Sequence, residues 1–338
     1  MFLGIEIGGT KLQLGIGAGD GSPLVAVERA HVDPARGAAG ILEHIERLGA
    51  ALLQKHSVQR VGVGFGGPVD AAAGRTRKSH QIAGWDDFPL ADWCSRTFST
   101  PTVIGNDCDA AALAEARFGA GRGSAIVFYV TVGTGVGGGL VIDGRLHGTS
   151  RPAVAEIGHL RPGLHCERSD MTVESLASGW GIAAAARERF TAEVVHWLAR
   201  VRDLSDESQR RARLEFAVQE DEEYLADLWQ RSDGDLAQLS ARHVAQAAAE
   251  GNEVAHEVLR HAVEALGWAI AQVVTITAAE TIVVGGGVAQ AGPSLFWEPL
   301  VEQVARFVFP PLLGGYQLRP AALGELVVVH GALALAAS

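Results

Sequence analysis

Residues 2–17 read FLGIEIGGTKLQLGIG, and the fold follows from how this stretch is parsed. Phe2 to Ile7 is an apolar run of strand length, GlyGlyThrLys at 8–11 marks a turn, and Leu12, Leu14 and Ile16 alternate as a second strand does. The spacing predicts a hairpin tipped by glycine. A similar arrangement returns at residues 125–142, where AIVFYVTV is a strand, GTGVGGG at 133–139 a glycine turn and LVI a strand, with a further turn at Asp143 and Gly144. A third strand-plus-glycine unit, TIVVGGGV at 281–288, follows a helical pattern from Asn252 to about Thr275. Ile41, Leu42, Ile45, Leu48, Leu52 and Leu53 describe a helix over 40–55, and VGVGF at 61–65 a strand. This alternation predicts an α/β protein, and the returning hairpin predicts two similar halves with a ligand between them.

The chain has 338 residues, enough for about two domains with substantial cores. Its hydrophobic share of 48% and charged share of 20% describe an ordinary globular protein and exclude disorder. Glycine is over-represented, with 42 residues against the roughly 7% usual in proteins, and clusters after apolar runs. A formal charge of -11 without a dense basic tract argues against a nucleic-acid partner. Cys94, Cys108 and Cys166 are too few and too scattered for a disulfide framework or a four-ligand zinc site, so a reducing cytoplasm is the expected compartment. The N-terminus carries no basic region, and no apolar run reaches about 18 residues, so neither export nor a membrane partner is expected. Residues 191–242 read as a charged, solvated helical insertion around the acidic cluster Glu220, Asp221, Glu222 and Glu223.

Four groups of residues carry chemistry. Gly8, Gly9, Thr10 and Lys11 offer uncovered backbone N–H groups, a hydroxyl and an ammonium, which suit a polyphosphate, although an ordinary turn explains them equally well alone. Gly133, Thr134 and Gly135 repeat the ingredients, so two loops grip one nucleotide from opposite sides while Gly285, Gly286 and Gly287 give a flat approach for its adenosine. Neither loop is the GxxxxGK[ST] phosphate loop. Asn106 and Asp107 lie between the strand TPTVI and the helix-like AAALAEARFG, where a carboxylate can accept the proton of an attacking sugar hydroxyl; helix capping explains the same pair. Glu156, His159 and Glu174 supply carboxylates and an imidazole of the kind that bond vicinal hydroxyls, with a merely structural histidine as the alternative.

The ordered motifs IEIGGTK, GVGFGGPVD, GNDCDAAALAEARFGAGRG, VTVGTGVGGG, AEIGHL, VESLASG and TIVVGGGV resemble those of the ROK family, named for repressors, open reading frames and kinases. The resemblance covers about residues 3–290. It implies a two-domain actin/hexokinase-like ATPase fold, a duplicated ribonuclease H-like motif with the cleft between domains. Residues 1–118 with the C-terminal helix 324–338 would form one domain, and 119–323 the other. It further implies ATP and magnesium, a glucokinase-like activity on a hexose, a homodimer, Asp107 as the base, and Gly66, Gln81, Asn106, Glu156, His159 and Glu174 at the sugar.

Three departures qualify that picture. Glu6 stands where the family usually has Asp, which lengthens the reach toward a magnesium–phosphate group through water. Gln81, in QIAGW, stands where glucokinase-like members often have Asn, which shifts hexose preference. Many members carry a CxCGxxGC zinc cluster, but here GLHCERSDMTVES keeps only Cys166, so no structural zinc is expected. A sugar-responsive repressor would need a DNA-binding domain ahead of the strand at Phe2, and a silent sugar sensor would have lost the base or a loop. A kinase for fructose or an N-acetylated hexosamine is the alternative within the enzyme reading.

Overall fold

The computed structural model describes residues 1–77, 82–149, 151, 153–163, 170–202 and 221–338. The opening stretch forms β1 (Phe2–Ile7) and β2 (Lys11–Gly17), antiparallel, with Ile7 opposite Leu12. β3 (Ala26–His31) extends the antiparallel edge, whereas β4 (Val61–Phe65) and β7 (Thr102–Asn106) add in parallel on the other side, giving the order β3-β2-β1-β4-β7. Between β4 and β7 in the chain, β5 (Val69–Asp70) and β6 (Arg75–Thr76) pair as a separate two-stranded ribbon. The returning hairpin forms β8 (Ile126–Val132), β9 (Val136–Ile142) and β10 (Arg145–Leu146). β11 (Thr281–Gly285) and β12 (Gln317–Pro320) add in parallel, giving β10-β9-β8-β11-β12. The two sheets therefore share strand order and direction. The duplication legible in two glycine-tipped hairpins extends to five strands each.

Strand alternation assigns the two faces of each sheet. Leu3, Ile5 and Ile7 pack with Ile41, Ile45, Leu48 and Leu52 of α1 (Gly37–Leu53) and with Leu90, Cys94 and Phe98 of α2 (Leu90–Phe98). Gly4 and Glu6 therefore point to the opposite, inner face. In the second sheet Phe128, Val130 and Val132 face the large core, which includes α4 (Val173–Ala177), the start of α5 (Gly179–Arg202), α7 (Ala241–Ala249) and α8 (Glu253–Thr277). α6 (Asp221–Arg231) and α9 (Glu298–Phe307) pack against the same core through Leu228 and through Leu300 and Val304. Val127 and Tyr129 take the inner face, against Ala111 and Ala112 of α3 (Asp107–Phe118).

The helices on the inner faces are exchanged. α3 leaves the last strand of the first sheet and packs on β8 and β9; α10 (Val327–Ala337) follows the last strand of the second sheet and packs on β1 and β4. α3 and α10 pack extensively against each other. One side chain pins both chain crossings. Glu115, fully buried on α3, accepts from the N–H of Ala120 at 2.8 Å and from those of Ala322 and Leu323 at 2.9 Å each. The first crossing enters β8, and the second enters α10.

Local differences from the sequence reading have plain causes. The glycine turn at 133–139 is shorter than its composition suggests, because β9 begins at Val136 and Gly137 to Gly139 are strand residues; Cys108 and Ala112 of α3 pack closely on Gly137 and Gly139, and Ala155 and Phe128 on Gly138. The insertion read at 191–242 begins within α5 and ends in α7; residues 203–220, with Glu220 of its acidic cluster, lie outside the described residues. Among the described residues no helix is long and apolar enough to cross a membrane.

Candidate active site

Asp107 is the first residue of α3, at the carboxyl end of β7. Asn106 caps the helix, its Oδ1 accepting from the N–H groups of Cys108 at 2.8 Å and Asp109 at 3.2 Å, while its Nδ2 donates to the Gly67 carbonyl at 3.0 Å. The capping explanation is thus correct for Asn106, and it leaves Asp107 free for other work. Asp107 Oδ1 accepts from the N–H of Cys108, at 2.8 Å, and the carboxylate lies beside Gly66 on the inner face. Burial, with the nearby Glu156 charge as a smaller contribution, pushes its pKa up to about 6.

Glu6 lies across the same inner face, 5% exposed, with Oε1 3.2 Å from Lys11 Nζ and Oε2 buried without a hydrogen-bond partner among the described residues. Burial outweighs Lys11 and raises the Glu6 pKa to about 7. The Lys11 ammonium also donates to the Glu325 carbonyl at 3.3 Å, and the turn below it is closed by Gly8 N–H to Lys11 C=O at 3.0 Å. Glu6, Lys11, Asp107, Thr131 and Gly285 to Gly287 line one cavity of about 590 Å³.

The second turn is held from outside. Glu174 Oε2 accepts from the N–H of Val136 at 2.9 Å, and Gly179 N–H donates to the Gly133 carbonyl at 2.8 Å. A Cβ at position 135 would stand 2.5 Å from Glu174 Oε2, so Gly135 makes room for that carboxylate, whereas Gly133 faces open space. Gly286 has φ of 96°, a left-handed conformation that glycine tolerates and larger residues do not. Gly133, Thr134, Gly179, Trp180, Ala183, Leu239, Val288 and Gly287 line a second, larger cavity of about 870 Å³.

Glu156 follows Ala155, whose φ of 58° is unusual for a residue with a side chain and sets the direction of the loop. Burial raises the Glu156 pKa, His159 opposes that rise and Glu174 adds to it, which places the three groups in one electrostatic neighbourhood. The structure thus sets Gly66, Asn106 and Asp107 side by side, with Glu156 in electrostatic reach of Asp107 and of His159 and Glu174. Gln81 and Cys166 lie outside the described residues, as do 78–81 and 164–169 as a whole. Sequence reasoning passed over Asp109, whose pKa burial, Glu156 and Asp107 together raise to about 7. It also passed over Trp180, Arg242 and Gln290, which line the cavities from helices and loops with no glycine signature. Among the described residues no group of three or more His, Cys, Asp or Glu is arranged to hold a metal ion.

The exchanged inner helices and the paired sheets define a two-domain actin/hexokinase-like fold. The sequence profile of the ROK family matches residues 2–338, and the chain belongs to that family. It is 30% identical to a glucokinase of Halalkalibacterium halodurans over 98% of this chain and 93% of that protein. A glucokinase of Thermotoga maritima is 27% identical, over 98% and 96%. The crystal structure of a ROK family glucokinase from Streptomyces griseus, in complex with glucose and AMPPNP, superposes with a TM-score of 0.76 at 29% identity, covering 99% of both chains.

Proposed function

We propose that this protein is a sugar kinase that transfers the terminal phosphoryl group of ATP to a hexose hydroxyl, with Asp107 as general base. The observation that carries the reading is the carboxylate of Asp107, which lines one cavity with Lys11 and Gly285 to Gly287 and lies within electrostatic reach of Glu156, itself a neighbour of His159 and Glu174. A base with a pKa of about 6 is ionised at neutral pH yet retains more basicity than an ordinary carboxylate. As the hydroxyl oxygen forms its bond to phosphorus, its proton passes to Asp107, and the bond to the bridging oxygen of the departing ADP breaks.

The larger cavity suits the adenosine part of the donor, since Trp180, Ala183, Leu239 and Val288 offer an apolar wall beside the turn at Gly133 and Thr134. Its neighbour, with Glu6 and Lys11 at one edge, suits the phosphates. Magnesium fits one feature of this chain: Glu6 lines the phosphate cavity and its buried Oε2 has no hydrogen-bond partner among the described residues, so Glu6 would hold a hydrated ion that arrives with the nucleotide and neutralises phosphate charge. The family resemblance and the exchanged helices support dividing the chain into 1–118 with 324–338 and 119–323, closing on the two substrates together. The same resemblance supports a homodimer, and the scattered cysteines support a cytoplasmic setting.

ADP release measured against a panel of hexoses, hexosamines and their N-acetyl forms, with a no-sugar control, tests the reading. Release that depends on at least one sugar is expected. Release that no sugar stimulates would leave a sugar sensor as the better description.

A further inference from the structure

The adenosine and phosphate cavities meet at a junction that no glycine motif marks. Gly287, Gln290 and Arg242 line both. A donor with its base against Trp180 and its terminal phosphoryl group at Asp107 must cross this junction with its phosphate chain, the most densely charged part of the molecule. Lys11, at the far edge, is already engaged by the Glu6 carboxylate and the Glu325 carbonyl. Arg187, which lines only the larger cavity, donates to the Leu239 carbonyl at 3.2 Å. Arg242 is exposed and forms no hydrogen bond or ion pair with another described residue.

The placement of Arg242 on its helix points the same way. It is in the first turn of α7, whose cap is built by Ser240 and His243: Ser240 Oγ accepts from the His243 N–H and His243 Nδ1 from the Ser240 N–H, each at 3.3 Å. That capping fixes the backbone beneath the arginine. A helix N-terminus is the positive end of the peptide dipoles, so acidic residues are favoured there and a cation is not. The first turn of α7 contains no acidic residue. An arginine at this position works against its own helix and is stabilised when an anion lies in front of it, where dipole and guanidinium act together.

We propose that Arg242 binds the donor's phosphate chain where it passes from the adenosine cavity to the catalytic one. The inference rests on the nucleoside triphosphate reading above and adds to it a residue outside both glycine turns. It makes Arg242 a donor-binding group that sets affinity and alignment and leaves the proton transfer to Asp107.

The experiment compares wild type, Arg242→Ala and Arg242→Lys by calorimetric titration with ADP, and by inhibition with adenosine as a competitor of ATP. Losing a charge-assisted contact should weaken ADP binding by about tenfold to a hundredfold in the alanine variant. Lysine, a point charge without the planar fork, should recover part of the loss. Adenosine inhibition and sugar KM should stay at wild-type values and the melting temperature of the free protein should not fall, while the KM for ATP rises. Unchanged ADP affinity in Arg242→Ala overturns the proposal, and so do equal losses for ADP and adenosine, which would place the side chain against the base. Wild-type protein that binds no ADP would overturn the donor reading itself, an outcome separate from either.

Discussion

The two sheets have the same strand order, but their glycine turns are supported differently. In the first, Gly8 bonds within its own turn and Lys11 pairs with Glu6 one strand away. In the second, the turn depends on other segments: Glu174 holds the N–H of Val136, and Gly179 holds the carbonyl of Gly133. Aligning the turns sets Glu6 opposite Gly64 in one sheet against Thr131 opposite Gly285 in the other, both on inner faces that line the same cavity. Duplication has supplied a symmetrical frame, and the charged chemistry has gathered on one side of it. The inner helices repeat the lesson, because α3 begins with Asn106 and Asp107 whereas α10 begins with no side-chain cap.

The largest structural effect should come from the residue that joins the halves. Glu115→Ala leaves the buried N–H groups of Ala120, Ala322 and Leu323 without their acceptor. At about 1–3 kcal/mol for each buried unpaired group, the loss should be on the order of 3 kcal/mol or more. Urea denaturation measures it, and a loss below about 1 kcal/mol would show that the two crossings are not held by this carboxylate.

A comparison of Gly135→Ala with Gly133→Ala sharpens the contrast within one turn. The added methyl at 135 meets Glu174 Oε2 and should cost roughly 1–3 kcal/mol of stability, as overpacking does, while weakening sugar binding through the displaced carboxylate. At 133 the methyl meets no protein atom, so stability should hold and only the KM for ATP should rise. Equal melting temperatures for the two variants would contradict the assignment of Glu174 to the turn.

The acid limb of kcat/KM should report Asp107, with activity falling as pH drops through about 6. Stability runs the opposite way for this group. Its folded pKa lies above the ordinary 3.8, so its contribution is full below 3.8 and is lost as pH rises toward about 6. An acid limb near 4 would contradict the burial of the base. The smallest effect concerns zinc: prolonged chelation followed by elemental analysis should leave the melting temperature unchanged and find no stoichiometric zinc.

Much of this frame was legible because strands and glycine turns have short-range signatures. Residues 2–17 and 125–142 declare their hairpins through alternation alone, and Asp107 is marked by the strand before it and the helix after it. What the sequence did not reveal depends on distant packing. Gly137 and Gly139 look like turn residues until α3 is laid across them, and the role of Glu115 becomes visible only when residues about 200 positions away reach its carboxylate. Arg242 and Trp180 sit on helices whose patterns report only their buried faces.

The most direct test of the central claim is the turnover of Asp107→Asn with a sugar that the wild type phosphorylates. Asparagine keeps the shape and one acceptor but cannot take the hydroxyl proton. Loss of a general base should lower kcat by about 100- to 10,000-fold, with sugar affinity, ADP affinity and melting temperature close to wild type. Turnover within tenfold of wild type, in protein free of contaminating kinase, would contradict the account and return Asp107 to the role of a first-turn helix residue.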